Sequence, residues 1–177
     1  MFEEYFKSNQ KTVRKLSKSD MLQTPGVIAT KAFYVKSGLL RSYTIDDNGK
    51  IHIFMFAPEG WIISDIESHT LSKPTEFYID ALEDSEIVEF SNIDPETFKK
   101  ANERNPEIID KLFRRIAVLQ RRVILLMSAP AKVRYEHFIE TYPQLANRVP
   151  LKMIASYLGI TPEALSNIRN KLKNQPQ

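Results

Sequence analysis

The stretch LKMIASYLGITPEALSNIRNKL, residues 151–172, decides the fold. Its pattern predicts two short helices that meet at Gly159, because glycine adopts the left-handed backbone of a tight turn at no steric cost. Thr161 is suited to cap the second helix, and Pro162 fits its first helical position. Ala155 is small enough for the two helices to cross closely. The segment therefore predicts a helix pair held at a fixed angle.

The apolar residues of this segment match the bacterial helix-turn-helix template, with inward positions at Ile154, Leu158, Ile160, Leu165 and Ile168. Polar residues then fall on the outward face of the second helix. In a docked helix of this kind the N-terminal residues face base edges, where Asn suits adenine and Glu suits cytosine N4, while Lys and Arg suit phosphates. The alternative is a helical hairpin of a core that carries the Ala and Gly by chance. The predicted DNA-binding residues are Thr161, Glu163, Ser166, Asn167, Arg169, Asn170, Lys171 and Lys152.

Positive charge is concentrated around the same segment. Residues 130–177 hold seven Lys or Arg and three Glu, a formal charge of +4, whereas residues 1–129 hold 18 basic and 19 acidic residues, a formal charge of −1. A basic end on a nearly neutral chain is typical of a nucleic-acid-binding surface. By itself the asymmetry is a weak indication, since most charged surfaces are simply solvated.

The composition excludes several classes of site. The 177 residues include no cysteine, so disulfides, thiolate nucleophiles and Cys-ligated iron–sulfur clusters are ruled out. Three scattered histidines, His52, His69 and His137, form no metal-binding spacing. We therefore predict no catalytic site, no metal and no cofactor. The acidic start MFEEYFKSNQ has no apolar core of a signal peptide and no long apolar run follows, so a cytoplasmic protein without a membrane span is expected.

Upstream, residues 27–91 are typical of a β-domain. Four runs are rich in β-branched and aromatic residues, and an Asp-Asp-Asn-Gly turn at 46–49 joins the first two into a hairpin. Close turns between several short strands favour a sandwich or barrel. The sequence therefore predicts an antiparallel β-roll, or jelly roll, with strands at 31–45, 50–57, 75–83 and 85–91.

A long amphipathic helix is predicted after a shorter one at 94–104. Asn105 and Pro106 form its start signal, and apolar residues alternate at spacings of three and four, with β-branched residues at a and Leu at d. This pattern favours a parallel two-stranded coiled coil; the alternative is a helix packed on its own domain. Phe113, Val118 and Leu125 lie off the stripe and are expected to pack on the β-domain. The predicted dimer interface is Ile109, Leu112, Ile116, Leu119, Val123 and Leu126.

Pro130 ends the long helix, and a further helix is predicted over 131–144. The sequence therefore predicts an α+β chain in three parts. These are a β-roll at 1–105, a dimerisation helix at 106–129 and a DNA-binding helix-turn-helix domain at 130–177.

This order of elements resembles the Crp/Fnr family of bacterial transcription regulators. The stretches at 36–65, 81–90 and 155–172 (KSGLLRSYTIDDNGKIHIFMFAPEGWIISD, ALEDSEIVEF and ASYLGITPEALSNIRNKL) are similar to the branch common in Bacteroidetes. The resemblance implies a homodimer on a pseudo-palindromic double-stranded operator, a β-roll with the cyclic-nucleotide-binding fold, a small-molecule effector of unknown identity and RNA polymerase as a further partner.

The chain departs from the family at the nucleotide cassette. Aligned on Gly60, Asp65 stands where cyclic-AMP-binding members carry a Glu, and Thr75 and Glu76 stand at their Arg–Ser pair. The resemblance thus gives Asp65, Thr75 and Glu76 as the effector-pocket residues. The guanidinium that would bind the cyclic phosphate is therefore missing, and Glu76 adds a carboxylate that repels it. Two like charges ~4 Å apart repel by roughly 4 kcal/mol at an effective dielectric of ~20. We therefore predict that cyclic AMP and cyclic GMP are not effectors.

The second helix of the pair departs as well. The best-known members carry Arg–Glu early and an Arg one turn later, and only Glu163 of these is retained, since Pro162 and Asn167 replace the arginines. A different operator is expected. Two other functions stay open: a cupin-like metal enzyme in which His52 and His69 converge, and a ligand-independent DNA-binding module whose β-roll is only a scaffold.

Overall fold

The computed structural model describes residues 11–91 and 107–174, without the side chains of residues 11, 107–112, 114 and 115. The chain divides into two compact units, Met1–Ile109 and Asp110–Gln177. The predicted helix at 94–104 and the start signal Asn105–Pro106 lie outside the described residues. The three-part division at 105 and 129 stays a prediction.

The first unit is built mainly from strands. They are β1 Lys11–Leu16, β2 Met21–Gln23, β3 Lys31–Ser37, β4 Leu40–Ile45, β5 Ile51–Ala57, β6 Ile62–Ser64, β7 Tyr78–Ala81 and β8 Ser85–Ser91. They form two four-stranded antiparallel sheets, in the orders β1-β8-β3-β6 and β2-β7-β4-β5. A six-residue helix, α1 at Ile66–Leu71, follows β6. The α+β class with antiparallel sheets is thereby confirmed.

Residues 31–45, predicted as one strand, form two strands in different sheets. The chain changes sheet at Gly38, whose φ of +94° suits glycine. A Cβ at this position would lie 2.7 Å from the Cα of Ser85, so no larger residue fits. The predicted hairpin is confirmed, because Asp46 closes the turn between β4 and β5 by accepting from the amides of Asn48 and Lys50.

The core of this unit lies between the two sheets, since both sheets contribute to it. Its buried members are Leu16, Phe33, Val35, Leu40, Met55, Ala57, Ile63, Ile79, Ala81 and Ile87, with Leu22 and Trp61 packed against them. Burial of the Val, Leu, Ile, Phe and Met side chains among them contributes about 1.5–3 kcal/mol each and supplies the main stabilisation of the β-roll.

The second unit is helical. The long helix ends two residues before Pro130, as predicted, whereas the helix predicted over 131–144 ends at Thr141 and is followed by a short 3-10 turn. None of the helices in the described ranges is both long and apolar enough to cross a lipid bilayer. The helices are α2 Glu107–Ser128, α3 Ala131–Thr141, the 3-10 turn Pro143–Leu145, α4 Leu151–Leu158 and α5 Pro162–Lys173.

Candidate nucleic-acid interface

The turn between α4 and α5 has the geometry that the sequence predicts. Gly159 has a φ of +65°. Its amide donates to Ser156 O at 3.1 Å, and the amide of Ile160 donates to Ala155 O at 3.0 Å. This is the hydrogen-bond pattern of a glycine-capped helix end. The turn therefore fixes the direction in which α5 leaves α4.

The start of α5 is equally defined. Thr161 Oγ1 accepts a hydrogen bond from the amide of Ala164 at 3.2 Å, and Pro162 occupies the first turn. Such a cap is worth about 1 kcal/mol of helix stability. Thr161 thus serves the helix start, in addition to the DNA contact predicted for it.

The inward positions of the helix pair are buried. Ala155 and Leu165 are fully covered, Ile154 and Leu158 nearly so, while Ile160 and Ile168 are half-buried. The prediction that apolar residues hold the pair together is confirmed at these positions.

The opposite face of α5 carries the predicted DNA contacts. Glu163, Asn167, Asn170 and Lys171 are exposed and recur at spacings of three and four, so they share one helix face. Asn167, Asn170 and Lys171 also line one shallow, open concavity with Asn174. The structure thus brings an amide-rich and basic set together on a solvent-facing surface.

The remaining predicted contacts lie around this face. Lys152 is exposed on α4, and Ser166 and Arg169 are half-buried on the flanks of α5. This arrangement can present amides and a carboxylate to base edges and cations to phosphates. The individual contacts stay predictions.

An aromatic cluster packs α4 on α3. Phe138 lies 5.6 Å from Tyr142 and 5.5 Å from Tyr157 between ring centroids, and the two tyrosines meet edge-on at 6.2 Å. All three rings are buried, and burial raises the pKa of Tyr157 although nearby Arg122 lowers it. Aromatic pairs of this kind add about 0.5–1.5 kcal/mol beyond their buried area and hold the helices in register.

Two arginines that sequence reasoning missed bind the C-terminal end of α4. Arg122 of α2 donates from Nη2 to Tyr157 O at 2.9 Å, and its guanidinium lies 3.9 Å from the Tyr157 ring centroid. Arg134 of α3 donates from Nη1 to Leu158 O at 2.9 Å. Because their acceptors are backbone atoms, no pattern of residue types announces these contacts.

Helix α2 has an apolar stripe on one side. Ile116 and Val123, at predicted a positions, are 49% and 55% exposed in the single chain, and Leu126 is 37% exposed. Leu119 is half-buried, while the side chains of Ile109 and Leu112 are outside the described set. An exposed stripe of large apolar residues is a candidate interface.

The expectation that Phe113, Val118 and Leu125 pack on the β-domain is wrong for Leu125. That side chain is buried within the helical unit, where it and Val118 line a cavity together with Phe138 and Leu158. The reason is that their face of α2 is occupied by α3 and α4. Phe113 is exposed.

In the β-roll, the predicted effector residues Asp65 and Thr75 meet each other. Both are buried. Thr75 Oγ1 donates to Asp65 Oδ2 at 2.5 Å and accepts from Gln23 Nε2 at 3.1 Å and from the amide of Phe77 at 3.0 Å. The other Asp65 oxygen caps α1 by accepting from the amide of Ser68. Glu76 is exposed and takes no part in this network as described.

The hydroxyl of Thr75 therefore uses one donor and two acceptor positions, which is the full capacity of a hydroxyl group. Both oxygens of Asp65 also have partners. These groups are engaged in joining the segment around Gln23, α1 and the start of β7, so they hold the β-roll together.

Among residues 11–91 and 107–174, no group of three or more His, Asp or Glu side chains is placed to hold a metal ion. His52 Nε2 lies 2.8 Å from Asp46 Oδ2 at the exposed hairpin turn. His69 lies on α1.

No protein-family model matches the sequence, and no curated protein matches it significantly. Solved structures do match in three dimensions. FixK2 from Bradyrhizobium japonicum superposes with a TM-score of 0.72 at 21% identity, over 93% of this chain and 85% of that one. The c-di-GMP-responsive global regulator CLP from Xanthomonas campestris gives 0.71 at 17% identity, over 97% and 90%.

TTHA1359 from Thermus thermophilus, a transcriptional regulator of the CRP/FNR family, matches with a TM-score of 0.68 at 18% identity, over 92% of this chain and 86% of that one. At such identities the likeness concerns the fold. Over nearly its whole length, the chain has the fold of a solved CRP/FNR-family transcriptional regulator.

Proposed function

We propose that this chain is a homodimeric, DNA-binding transcription regulator of the Crp/Fnr family, with α4, the Gly159 turn and α5 as its helix-turn-helix. The observation that carries the proposal is the division of α5 into two faces. Leu165 is fully buried on the inward side of α5, while Asn167, Asn170 and Lys171 are exposed on the opposite side. A rigid helix with such a polar face fits the width of the major groove.

The roles within this surface follow from side-chain chemistry. Asn167 can pair through two hydrogen bonds with adenine, and Glu163 can accept from cytosine N4. Arg169, Lys171 and Lys152 supply charge for phosphates, which position the protein on DNA without selecting sequence. Two arginines of the best-known members are replaced by Pro162 and Asn167, so the operator differs from theirs.

Dimerisation through α2 is supported by the exposed apolar stripe with Ile116 and Val123. Two copies of α2 in parallel would bury this stripe and place two α5 helices in successive major grooves about 34 Å apart. The operator would then be pseudo-palindromic, since a two-fold dimer presents the same helix twice.

Cyclic AMP and cyclic GMP are not expected to control this regulator. Thr75 stands where a guanidinium would meet the phosphate, and its hydroxyl is already saturated by Asp65, Gln23 and Phe77. The same network favours a second form of the function, in which the β-roll is a scaffold for a ligand-independent regulator. The fold shared with CLP and TTHA1359 supports regulation in either form.

Selection of bound DNA from a random library with the purified full-length protein tests the proposal. We expect enriched sequences with two inverted half-sites whose centres lie about 34 Å apart. Failure to enrich any sequence over the input library would contradict the proposal.

The roles of two side chains can be separated on the selected DNA. Asn167→Ala should remove about 1–3 kcal/mol of discrimination at one position of each half-site. Arg169→Ala should weaken all sequences alike and lower the salt dependence by about one phosphate contact. Lys50→Ala, which removes an exposed cation at the hairpin turn of the β-roll, is the matched control and should change neither quantity. Equal effects of both variants on every sequence would overturn the assignment.

A further inference from the structure

The C-terminal end of α4 has every one of its last four carbonyl groups bound. Such carbonyls have no partner inside a helix and need one from elsewhere. The turn amides of Gly159 and Ile160 serve Ser156 O and Ala155 O. Tyr157 O and Leu158 O are served by arginine side chains from two other helices, Arg122 and Arg134. Two of the four carbonyl groups thus receive their hydrogen bonds from outside the helix pair.

Arg122 joins α2 to α4 in two ways. Its Nη2 binds Tyr157 O at 2.9 Å while its guanidinium lies 3.9 Å over the ring of the same residue. Burial lowers the pKa of Arg122, although the adjacent tyrosines act in the opposite direction. A cation at a helix C-terminus is favoured by the helix dipole, and only a planar guanidinium can stack and donate at once.

Arg134 joins the ends of two helices. Its Nε donates to Ala129 O, directly after the end of α2, at 3.0 Å, and its Nη1 donates to Leu158 O at 2.9 Å. A Cβ at Gly159 would lie 3.4 Å from Leu126 Cδ2, so a residue of the α2 stripe also lies against the turn. The last turn of α2 and the turn of the helix pair therefore meet through fixed contacts.

We propose that Arg122 and Arg134 are positioning residues that fix the helix pair on the dimerisation helix and so set which half-site spacing the dimer accepts. The inference rests on the proposed function. Apolar contacts such as those of Leu125 resist separation of the helices but tolerate small rotations, whereas directed hydrogen bonds to two adjacent carbonyls do not. Each base pair added between half-sites turns the second one by about a tenth of a turn, so a fixed helix pair discriminates strongly.

The test uses the full-length protein and the DNA selected by the wild type. Binding is measured to a single half-site and to a series of sites with the native spacing and with one or two base pairs added or removed. Arg122→Lys and Arg134→Lys keep the charge and lose the fork of donors. Arg121→Lys is the matched control, because Arg121 is the exposed neighbour of Arg122 on α2.

We expect the wild type and Arg121→Lys to share one narrow spacing profile. In Arg122→Lys and Arg134→Lys the preference for the native spacing should fall about tenfold while the affinity for a single half-site is unchanged, since one charged hydrogen bond is lost far from the DNA-facing side chains. Arg122→Gln, which keeps one amide donor, replaces Arg122→Lys if that variant does not fold by circular dichroism.

An unchanged spacing profile in folded variants would overturn the inference. An equal loss of affinity for the single half-site and for every spacing would also overturn it, because the arginines would then support the helix pair itself and not its placement. Both outcomes are distinct from failure of the proposed function, in which the wild type selects no DNA at all.

Discussion

Glu89 is the carboxylate at which three strands of one sheet are joined electrostatically. It lies on β8 and is 2.7 Å from Arg14 Nη1 on β1 and 2.6 Å from Lys31 Nζ on β3. Burial alone would raise the pKa of Glu89, but the hydrogen bonds from Lys31 and Arg14 outweigh it and hold the pKa below its ordinary value. A carboxylate with a lowered folded-state pKa stabilises the fold above its unfolded pKa, and this contribution is lost as pH falls through the folded value.

We therefore expect Glu89→Gln to lower the free energy of unfolding of the β-roll by about 1–2 kcal/mol at pH 7. The difference from wild type should shrink as the pH falls below the ordinary carboxyl value of 4.5. Denaturant unfolding followed by the fluorescence of Trp61, the single tryptophan, measures it. Glu86→Gln is the control. It removes the carboxylate that pairs with Lys36, which is more exposed than Glu89, so the free energy of unfolding should fall less. A difference that grows on acidification would refute this account.

Side chains whose role is local were predictable from the sequence. Gly159 and Thr161 are recognisable because the turn and the cap demand those residue types. Arg122 and Arg134 were not, because an arginine on an amphipathic helix resembles any solvated charge. The carbonyl that Arg122 binds lies 35 residues further along the chain.

Helix α2 carries two apolar faces, one buried within the helical unit and one exposed. Val118 and Leu125 face the cavity that is also lined by α3 and α4, while Ile116, Val123 and Met127 are exposed. Ile116 and Val123 are exposed, as their heptad spacing leads one to expect, whereas the pairing of the stripe stays a prediction. The sequence misassigned Leu125, because an apolar residue beside a stripe does not show which neighbour will cover it.

Val123→Glu should convert the proposed dimer into a monomer. A carboxylate at a central a position would be buried against its own copy, and an unpaired buried charge costs about 3–5 kcal/mol, at least roughly a hundredfold in dimer affinity. Sedimentation equilibrium gives the dissociation constant. Arg121→Glu, an exposed substitution on another face of the same helix, should leave it within a few-fold of wild type. Dimerisation of Val123→Glu as tight as wild type would exclude α2 as the interface.

The elements that were missed have no clear local signal in the sequence. The hairpin of β4 and β5 is local and was found from its turn. Strand β1 pairs with β8 at the other end of the unit, and its sequence KTVRKL does not alternate apolar and polar residues. Helix α1 has only six residues, capped by Asp65, and is too short for a periodic signal.

We expect cyclic AMP and cyclic GMP to leave DNA binding by the whole chain unchanged. The group that would meet the cyclic phosphate is replaced by the saturated hydroxyl of Thr75, and Glu76 adds a negative charge beside it. Titration calorimetry should show no saturable binding tighter than about 1 mM, and affinity for the selected DNA should be the same with and without either nucleotide. Micromolar binding of either would contradict this.

The Asp65–Thr75 network also bears on how such a β-roll can change through evolution. Replacing Thr75 by arginine would take away the acceptor of Gln23 Nε2 and of the Phe77 amide, because a guanidinium only donates hydrogen bonds. A single substitution toward anion binding thus passes through a destabilised protein, since buried groups left unsatisfied cost about 1–3 kcal/mol each. The effect of a substitution at Thr75 is therefore coupled to the residues that share its hydroxyl, Asp65 and Gln23.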